Sequence, residues 1–159
     1  IILIISIFGL TGFMMGVSGF DLLEEVKFLP TLFVLILFVG FSIFFGITYS
    51  FILHRIGKLL KGKASFTEIC SLYAYSFIPQ IFVFIALMII NNLHHFSGGT
   101  KLVDNQIWNS SLLIISSVIS IKILIRGFIK FNDYNVFRSI LNLLPSIVLI
   151  VALWYYLIF

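Results

Sequence analysis

The chain has 159 residues, 61% of them hydrophobic and only 10% charged, with ten Lys and Arg against six Asp and Glu for a formal net charge of +4. Soluble domains carry about 25% charged residues and lack apolar stretches of about 20, so this composition excludes a soluble globular domain and indicates an integral membrane protein. The basic residues flank apolar runs instead of forming one stripe, which excludes a nucleic-acid partner.

Apolar runs separated by polar breaks predict an all-α, polytopic membrane helix bundle with five transmembrane helices, at residues 1–20, 30–55, 66–91, 107–127 and 137–159. These spans use up the length, so residues 1–159 form a single transmembrane domain. The first run has no basic segment before it and no small-residue cleavage site after it, so it reads as a span and not a signal peptide, with the natural N-terminus expected upstream. It carries Gly12 and Gly16 in GxxxG register. The second run has Ser42, Gly46 and Ser50 at the same spacing, and the fourth has Ser116 and Ser120. Such faces let helix backbones approach in lipid and serve either packing within the bundle or dimerisation.

Pro30 suits the first turn of the second span, where its missing N–H leaves nothing unpaired. That span ends in the basic stretch from His54 to Lys63, in which His54 reads as an interfacial residue. Ser65-Phe66-Thr67-Glu68 predicts a capping box at the start of the third span, with Glu68 at the positive end of the helix dipole. Pro79 falls inside that span and should kink it, with Gln80 directly after. The break at 92–106 holds His94, His95 and Asp104, the one cluster with metal-ligand residue types. Adjacent histidines in an extended loop point apart, whereas a metal wants about three or four converging donors, so no metal is expected there. Lys122, near the end of the fourth span, can snorkel to the headgroups. In the fifth span Asn142 lies one turn before Pro145, a second expected kink. Cys70 is alone, so no intrachain disulfide is possible.

Eight of the ten basic residues (Arg55, Lys58, Lys61, Lys63, Lys122, Arg126, Lys130 and Arg138) lie in or beside the second and fourth breaks. The positive-inside rule then places both breaks and the N-terminus in the cytoplasm and the C-terminus on the far side. Trp108 and Trp154-Tyr155-Tyr156 fall at that far interface, where such rings favour the headgroup level.

Polar residues inside a bilayer are functional candidates, because leaving them unsatisfied in lipid is costly. Gln80 and Asn142, with Pro79 and Pro145, form the candidate intramembrane polar site. The structural alternative is that the two amides, or nearby hydroxyls, satisfy carbonyls released at the proline kinks. No carboxylate lies deep in a span, and no serine has a histidine and acid placed to activate it. No glycine-rich phosphate loop is present either, so neither catalytic residues nor a cofactor is expected. Lys58, Lys61 and Lys63 are the candidates for contact with a partner or with lipid headgroups.

Two segments resemble the Yip family, membrane proteins that interact with Ypt/Rab-type GTPases. The first runs from Gly57-Lys58-Leu59-Leu60-Lys61-Gly62-Lys63-Ala64-Ser65-Phe66-Thr67-Glu68 to Tyr75-Ser76-Phe77-Ile78-Pro79, similar to the family's basic turn, its GK-A-S-F start and its Y-S-x-x-P within the third span. The second, from Ile121-Lys122-Ile123-Leu124-Ile125-Arg126-Gly127 to Leu141-Asn142-Leu143-Leu144-Pro145, is similar to the family's basic exit from span four and the proline of span five. The resemblance implies five spans with a cytosolic N-terminus, a role in membrane trafficking, and a member of the prokaryotic type. The long cytosolic N-terminal region of eukaryotic members is absent here, which puts small-GTPase binding in doubt. Two functions stand against each other. One is a membrane scaffold or accessory subunit that binds other membrane proteins or itself. The other is a small transporter or lipid-handling protein, which expects a hydrated cavity reaching Gln80 and Asn142.

Overall fold

Water is missing from a bilayer core, so a chain this apolar must satisfy its backbone internally, and helices do so within each segment. The computed structural model describes the backbone of residues 1–19, 28–97 and 106–158, and the side chains of 1–14, 32–87, 89, 111–145, 147 and 148. Among the described residues six helices follow in order: α1 (Ile2–Gly19), α2 (Phe28–Leu59), α3 (Phe66–Ser76), α4 (Ile78–Ser97), α5 (Gln106–Asn132) and α6 (Val136–Ile158). Helix α1 lies along α2 and touches α3 and α4, α3 packs on α2 and α5, and α5 packs on α4 and α6. Among the described residues three stretches are long and apolar enough to cross a bilayer, Leu32–Leu59, Phe66–Leu87 and Ser111–Asn132, and Ile2–Met14 and Val136–Pro145 are shorter apolar segments. The architecture is an all-α membrane bundle.

The third expected span is two helices, not one kinked helix. At Phe77 the N–H turns to the Ala74 carbonyl (3.0 Å) and the Phe77 carbonyl accepts from Ile81 N–H (3.0 Å), so this residue closes α3 and opens α4. Pro79 then stands in the first turn of α4, where a missing N–H leaves no bond unmade. Tyr73 loses its usual i+4 donor at this break, and the Ser76 hydroxyl donates to that carbonyl instead (2.6 Å). A nearby hydroxyl thus takes the freed carbonyl. Pro145 lies within α6, which stays helical through it.

Other boundaries moved outward for local reasons. Helix α2 continues to Leu59 and α5 to Asn132, so most of the two basic breaks is helical and the turns shrink to residues 60–65 and 133–135. At about 1.5 Å per residue, the 32-residue α2 is about 48 Å long and overshoots a hydrocarbon core of about 30 Å. Helix α4 extends to Ser97, so His94 and His95 have a helical and not an extended backbone. Their side chains, with Gly16, Lys101, Asp104, Trp108 and Trp154-Tyr155-Tyr156, lie outside the described residues.

The small-residue faces pack within the chain. A Cβ on Gly12 would stand 2.5 Å from the Phe38 carbonyl oxygen and 2.6 Å from the Ser42 Cβ, so α1 and α2 touch almost backbone to backbone. Gly46 makes room for the Phe8 ring, whose atoms would lie 2.7 Å from an added Cβ. Phe8 in turn sits edge-on to Phe77 (6.1 Å between ring centres) and tilted against Tyr73 (5.9 Å). Gly127 similarly admits the buried Leu72 side chain between α3 and α5. Large apolar side chains such as Phe33, Phe44 and Phe82 point outward, as suits a surface solvated by lipid.

Gly12→Ala is therefore expected to destabilise the bundle by about 1–3 kcal/mol, the usual penalty for overpacking against a backbone that cannot yield. Gly40→Ala, with nothing within 4 Å of the new methyl, should leave stability unchanged or raise it by up to about 1 kcal/mol through helix propensity. Unfolding by SDS titration in mixed micelles reads both; equal effects at the two positions would contradict the close α1–α2 contact.

Candidate functional site

Two regions gather polar groups: the turn end, where α2–α3 and α5–α6 meet, and a cavity in the middle of the bundle.

At the turn end both helical hairpins are built alike. Helix α2 stops because Lys61 adopts φ 63°, which lets Lys61 N–H reach the Lys58 carbonyl (3.0 Å) and Gly62 N–H reach the Gly57 carbonyl (2.8 Å). This pair of bonds is a Schellman ending. Helix α5 stops at Asp133 with φ 59°, and Tyr134 N–H reaches back to the Ile129 carbonyl (3.3 Å). Each following helix is capped by a side chain. Ser65 Oγ accepts from Glu68 N–H (3.3 Å) while Glu68 Oε2 accepts from Ser65 N–H (2.8 Å), the capping box expected from the sequence. Asn135 Oδ1 accepts from Arg138 N–H (3.0 Å) at the start of α6.

The two turns then lock together. Asn132 Oδ1 accepts from Ala64 N–H (3.1 Å), and the Tyr134 hydroxyl donates to the Gly57 carbonyl (2.5 Å). Both bonds are buried, so each removes a polar group that has no access to water. A side chain at Gly62 would collide with Asn132 and Tyr134, so glycine is needed there for the close approach. Leu53, Ile69, Leu72, Phe128 and Leu143 close around the junction as its apolar core. At its rim Lys63 pairs with Asp133 (2.8 Å), and each partner holds the other charged: the Lys63 ammonium is raised above its ordinary value and the Asp133 carboxyl lowered below its own. The pair is therefore complete across neutral pH. Its contribution fades only as acid protonates Asp133 or strong alkali deprotonates Lys63, and with both side chains about three-quarters exposed it is small. Burial pushes the Tyr134 phenol above its usual range, which keeps it a proton donor toward Gly57.

This arrangement sorts the three candidate lysines. Lys58 Nζ folds back onto the Gly62 (3.3 Å) and Lys63 (3.5 Å) carbonyls, and Lys63 is held by Asp133. Lys61 projects exposed from the turn. Arg55 lies over the Phe51 ring at 4.8 Å, flanking the same face.

The four intramembrane candidates do not form one site. Gln80 is half-buried in the first turns of α4, beside Pro79, and lines the cavity. Asn142 is fully buried at the other region, facing Gly57, where an added Cβ would stand 3.2 Å from its Nδ2. Among the described residues neither Asn142 Nδ2 nor Oδ1 has a hydrogen-bond partner, nor does Asn132 Nδ2. Of the groups expected to take freed carbonyls, Asn142 therefore takes none. Proximity along the helix does not bring it and Pro145 together, because the Asn142 side chain turns toward α2. Pro145 joins no polar cluster among the described residues.

The cavity has a volume of about 500 Å³ and is bounded by α1, α2, the α3–α4 break, α5 and α6. Phe8, Phe38, Phe41, Phe45, Tyr49, Tyr73 and Phe77 supply its aromatic wall, and Thr11, Ser42, Ser76, Gln80, Ser117 and Ser120 its polar positions. Among the described residues no charged side chain lines it. Among the described residues no three His, Cys, Asp or Glu converge as metal ligands.

Compared with known families, the chain matches the Yip1 domain over residues 1–157, so it belongs to the Yip family. No match was found among curated proteins or solved structures. The protein is a membrane protein of the Yip type.

Sequence reasoning overlooked Asn132, Asp133 and Tyr134. Their partners lie 68, 70 and 77 residues away, so no local pattern reveals them. One signal was available. Asn and Asp tolerate a positive φ better than other residues, and Asn-Asp-Tyr-Asn between two apolar runs marks a tight helix ending.

Asn132→Ala should cost about 1–3 kcal/mol, because it strands the buried Ala64 N–H. Tyr134→Phe should cost less, about 1 kcal/mol, because the Gly57 carbonyl keeps Gly62 N–H as a donor. Asn142→Leu removes an unpartnered buried amide and should be neutral or stabilising. The same SDS titration ranks the three, and a reversed order would overturn the assigned bonds.

Proposed function

We propose that the protein is a membrane scaffold or accessory subunit whose docking face is the interlocked turn end. The proposed topology puts this end in the cytoplasm, the N-terminus with it and the C-terminus opposite, on the strength of the basic asymmetry. The observation that carries the reading is the locking of the two turns through Ala64–Asn132 and Gly57–Tyr134. A platform that is already ordered loses little conformational freedom on binding, which favours recognition over chemistry. Its exposed charge is mostly positive, from Arg55, Lys58, Lys61, Lys130 and Arg138, and complements an acidic segment of a membrane partner or anionic headgroups. Family membership supports a role among other membrane proteins, with trafficking as its setting. The Gly12 and Gly46 faces are already filled by α1–α2 packing, so docking through those glycines is not proposed.

A second reading, lipid handling, is favoured by the cavity that reaches Gln80. It loses Asn142, which lies away from that cavity.

The scaffold reading predicts that replacing Lys58, Lys61 and Lys63 together by Gln reduces recovery of co-purifying membrane partners in mild detergent, with Arg55, Lys122, Arg126 and Lys130 retained to preserve insertion. Lys61→Gln alone should show most of the loss, since Lys58 and Lys63 are engaged within the chain. Normal insertion with every partner retained in both variants would remove the docking role.

A further inference from the structure

We propose that the central cavity binds an uncharged lipid whose head is a hydroxyl, with the hydroxyl at Gln80 and the facing serines and the hydrocarbon along the aromatic wall. The inference rests on the second reading above and names the class of molecule it would handle.

Size and position come first. About 500 Å³ falls within the range of about 300–1,000 Å³ that small-molecule sites occupy, and the lining comes from helices read as bilayer spans. An occupant can therefore enter from lipid without crossing water.

Charge then narrows the class. A phosphate, carboxylate or ammonium head in this cavity would find no counter-ion among the described residues, since none of the lining side chains there is charged. Charged phospholipid heads and fatty acids are excluded on that ground, and a neutral head remains.

Hydrogen-bond direction narrows it further. Thr11 donates to the Ile7 carbonyl (2.8 Å), Ser76 to Tyr73 (2.6 Å), Ser117 to Leu113 (2.8 Å) and Ser120 to Ser116 (2.9 Å). Each hydroxyl has spent its only proton on its own helix, so toward the cavity it offers lone pairs alone. Thr11, Ser76 and Ser120 are all more than nine-tenths buried, which denies those lone pairs bulk water. These four positions supply acceptors, while Gln80, Ser42 and the hydroxyls of Tyr49 and Tyr73, which also line the cavity, are groups that both donate and accept. An alkane or an ester carbonyl brings no proton and leaves those four acceptors unmatched. A hydroxyl gives one proton to a serine or threonine oxygen and accepts one from Gln80.

The test uses the full chain in phosphatidylcholine nanodiscs and a long-chain alcohol carrying a photoreactive diazirine in its tail. Crosslinks are mapped by mass spectrometry, and unlabelled oleyl alcohol, oleic acid and octadecene compete at equal concentration. The expected result is labelling of cavity-lining peptides from α1, α2, α4 or α5, displaced by oleyl alcohol about tenfold more effectively than by octadecene or oleic acid at neutral pH. Gln80→Leu should reduce that preference, and Ile121→Trp should abolish labelling by filling the cavity, with retained folding checked by the micelle titration. Cavity labelling displaced equally by octadecene would overturn the hydroxyl assignment while leaving lipid handling standing. No labelling of cavity peptides would overturn both. If neither variant folds, the competition series on the unaltered chain still decides.

Discussion

Two hydrogen bonds between turns that are far apart in sequence organise one end of this molecule: Ala64 N–H on Asn132 Oδ1 and Tyr134 Oη on the Gly57 carbonyl. Hydrophobic attraction cannot hold helices together in lipid, because the lipid tails are as apolar as the side chains. Order must come from close packing and from polar groups with no alternative partner. The junction supplies both. Gly62 allows the turns to approach, Schellman endings present their N–H and C=O groups at fixed angles, and the buried core around Leu53 and Phe128 excludes water. Each hairpin thus finishes the other's hydrogen bonding, and α2, α3, α5 and α6 are tied at one level.

Away from that end the bundle loosens in a definite place. The break at Phe77 divides α3 from α4, and the ring of Phe77 packs with Tyr73 (5.0 Å) beside Phe8 and Tyr49 on one wall of the cavity. Packing of α1 onto α2 through Gly12 and Gly46 forms another part of its wall. A tied end and an open middle assign different physical tasks to the two regions. The tied end suits presentation of charge to a partner, and the middle suits a small occupant. The two proposed functions are compatible within one Yip-type membrane protein.

Much of the frame was legible in the sequence because it depends on local chemistry. The apolar runs marked the helices, Ser65 and Glu68 marked a cap that the structure builds atom for atom, and Pro79 marked the break in the third span. The degree of that break was not legible. A proline can sit in a bent helix or in the first turn of a new one, and the backbone at Phe77 decides between them. The small-residue spacings foretold close approach but not between which helices, and for Gly12 and Gly46 the contact is α1 with α2. Asn142 does not serve Pro145 for a rotational reason: only two residues separate them along α6, yet its side chain faces Gly57 on α2. Asn132 and Tyr134 stayed hidden because their partners are brought near only by the complete fold.

The central claim is that the turn end is a locked, buried junction and not a pair of surface loops. Native-state hydrogen exchange of the amides of Gly62 and Ala64 tests it most directly. Both lie in a short polar turn, where unprotected amides would exchange at nearly the rate of a free peptide. The account predicts that they open only with the helices they join, with protection comparable to the buried part of α2. Exchange of Ala64 N–H as fast as that of an exposed loop would show that its bond to Asn132 does not hold, and with it the account of the junction would fall.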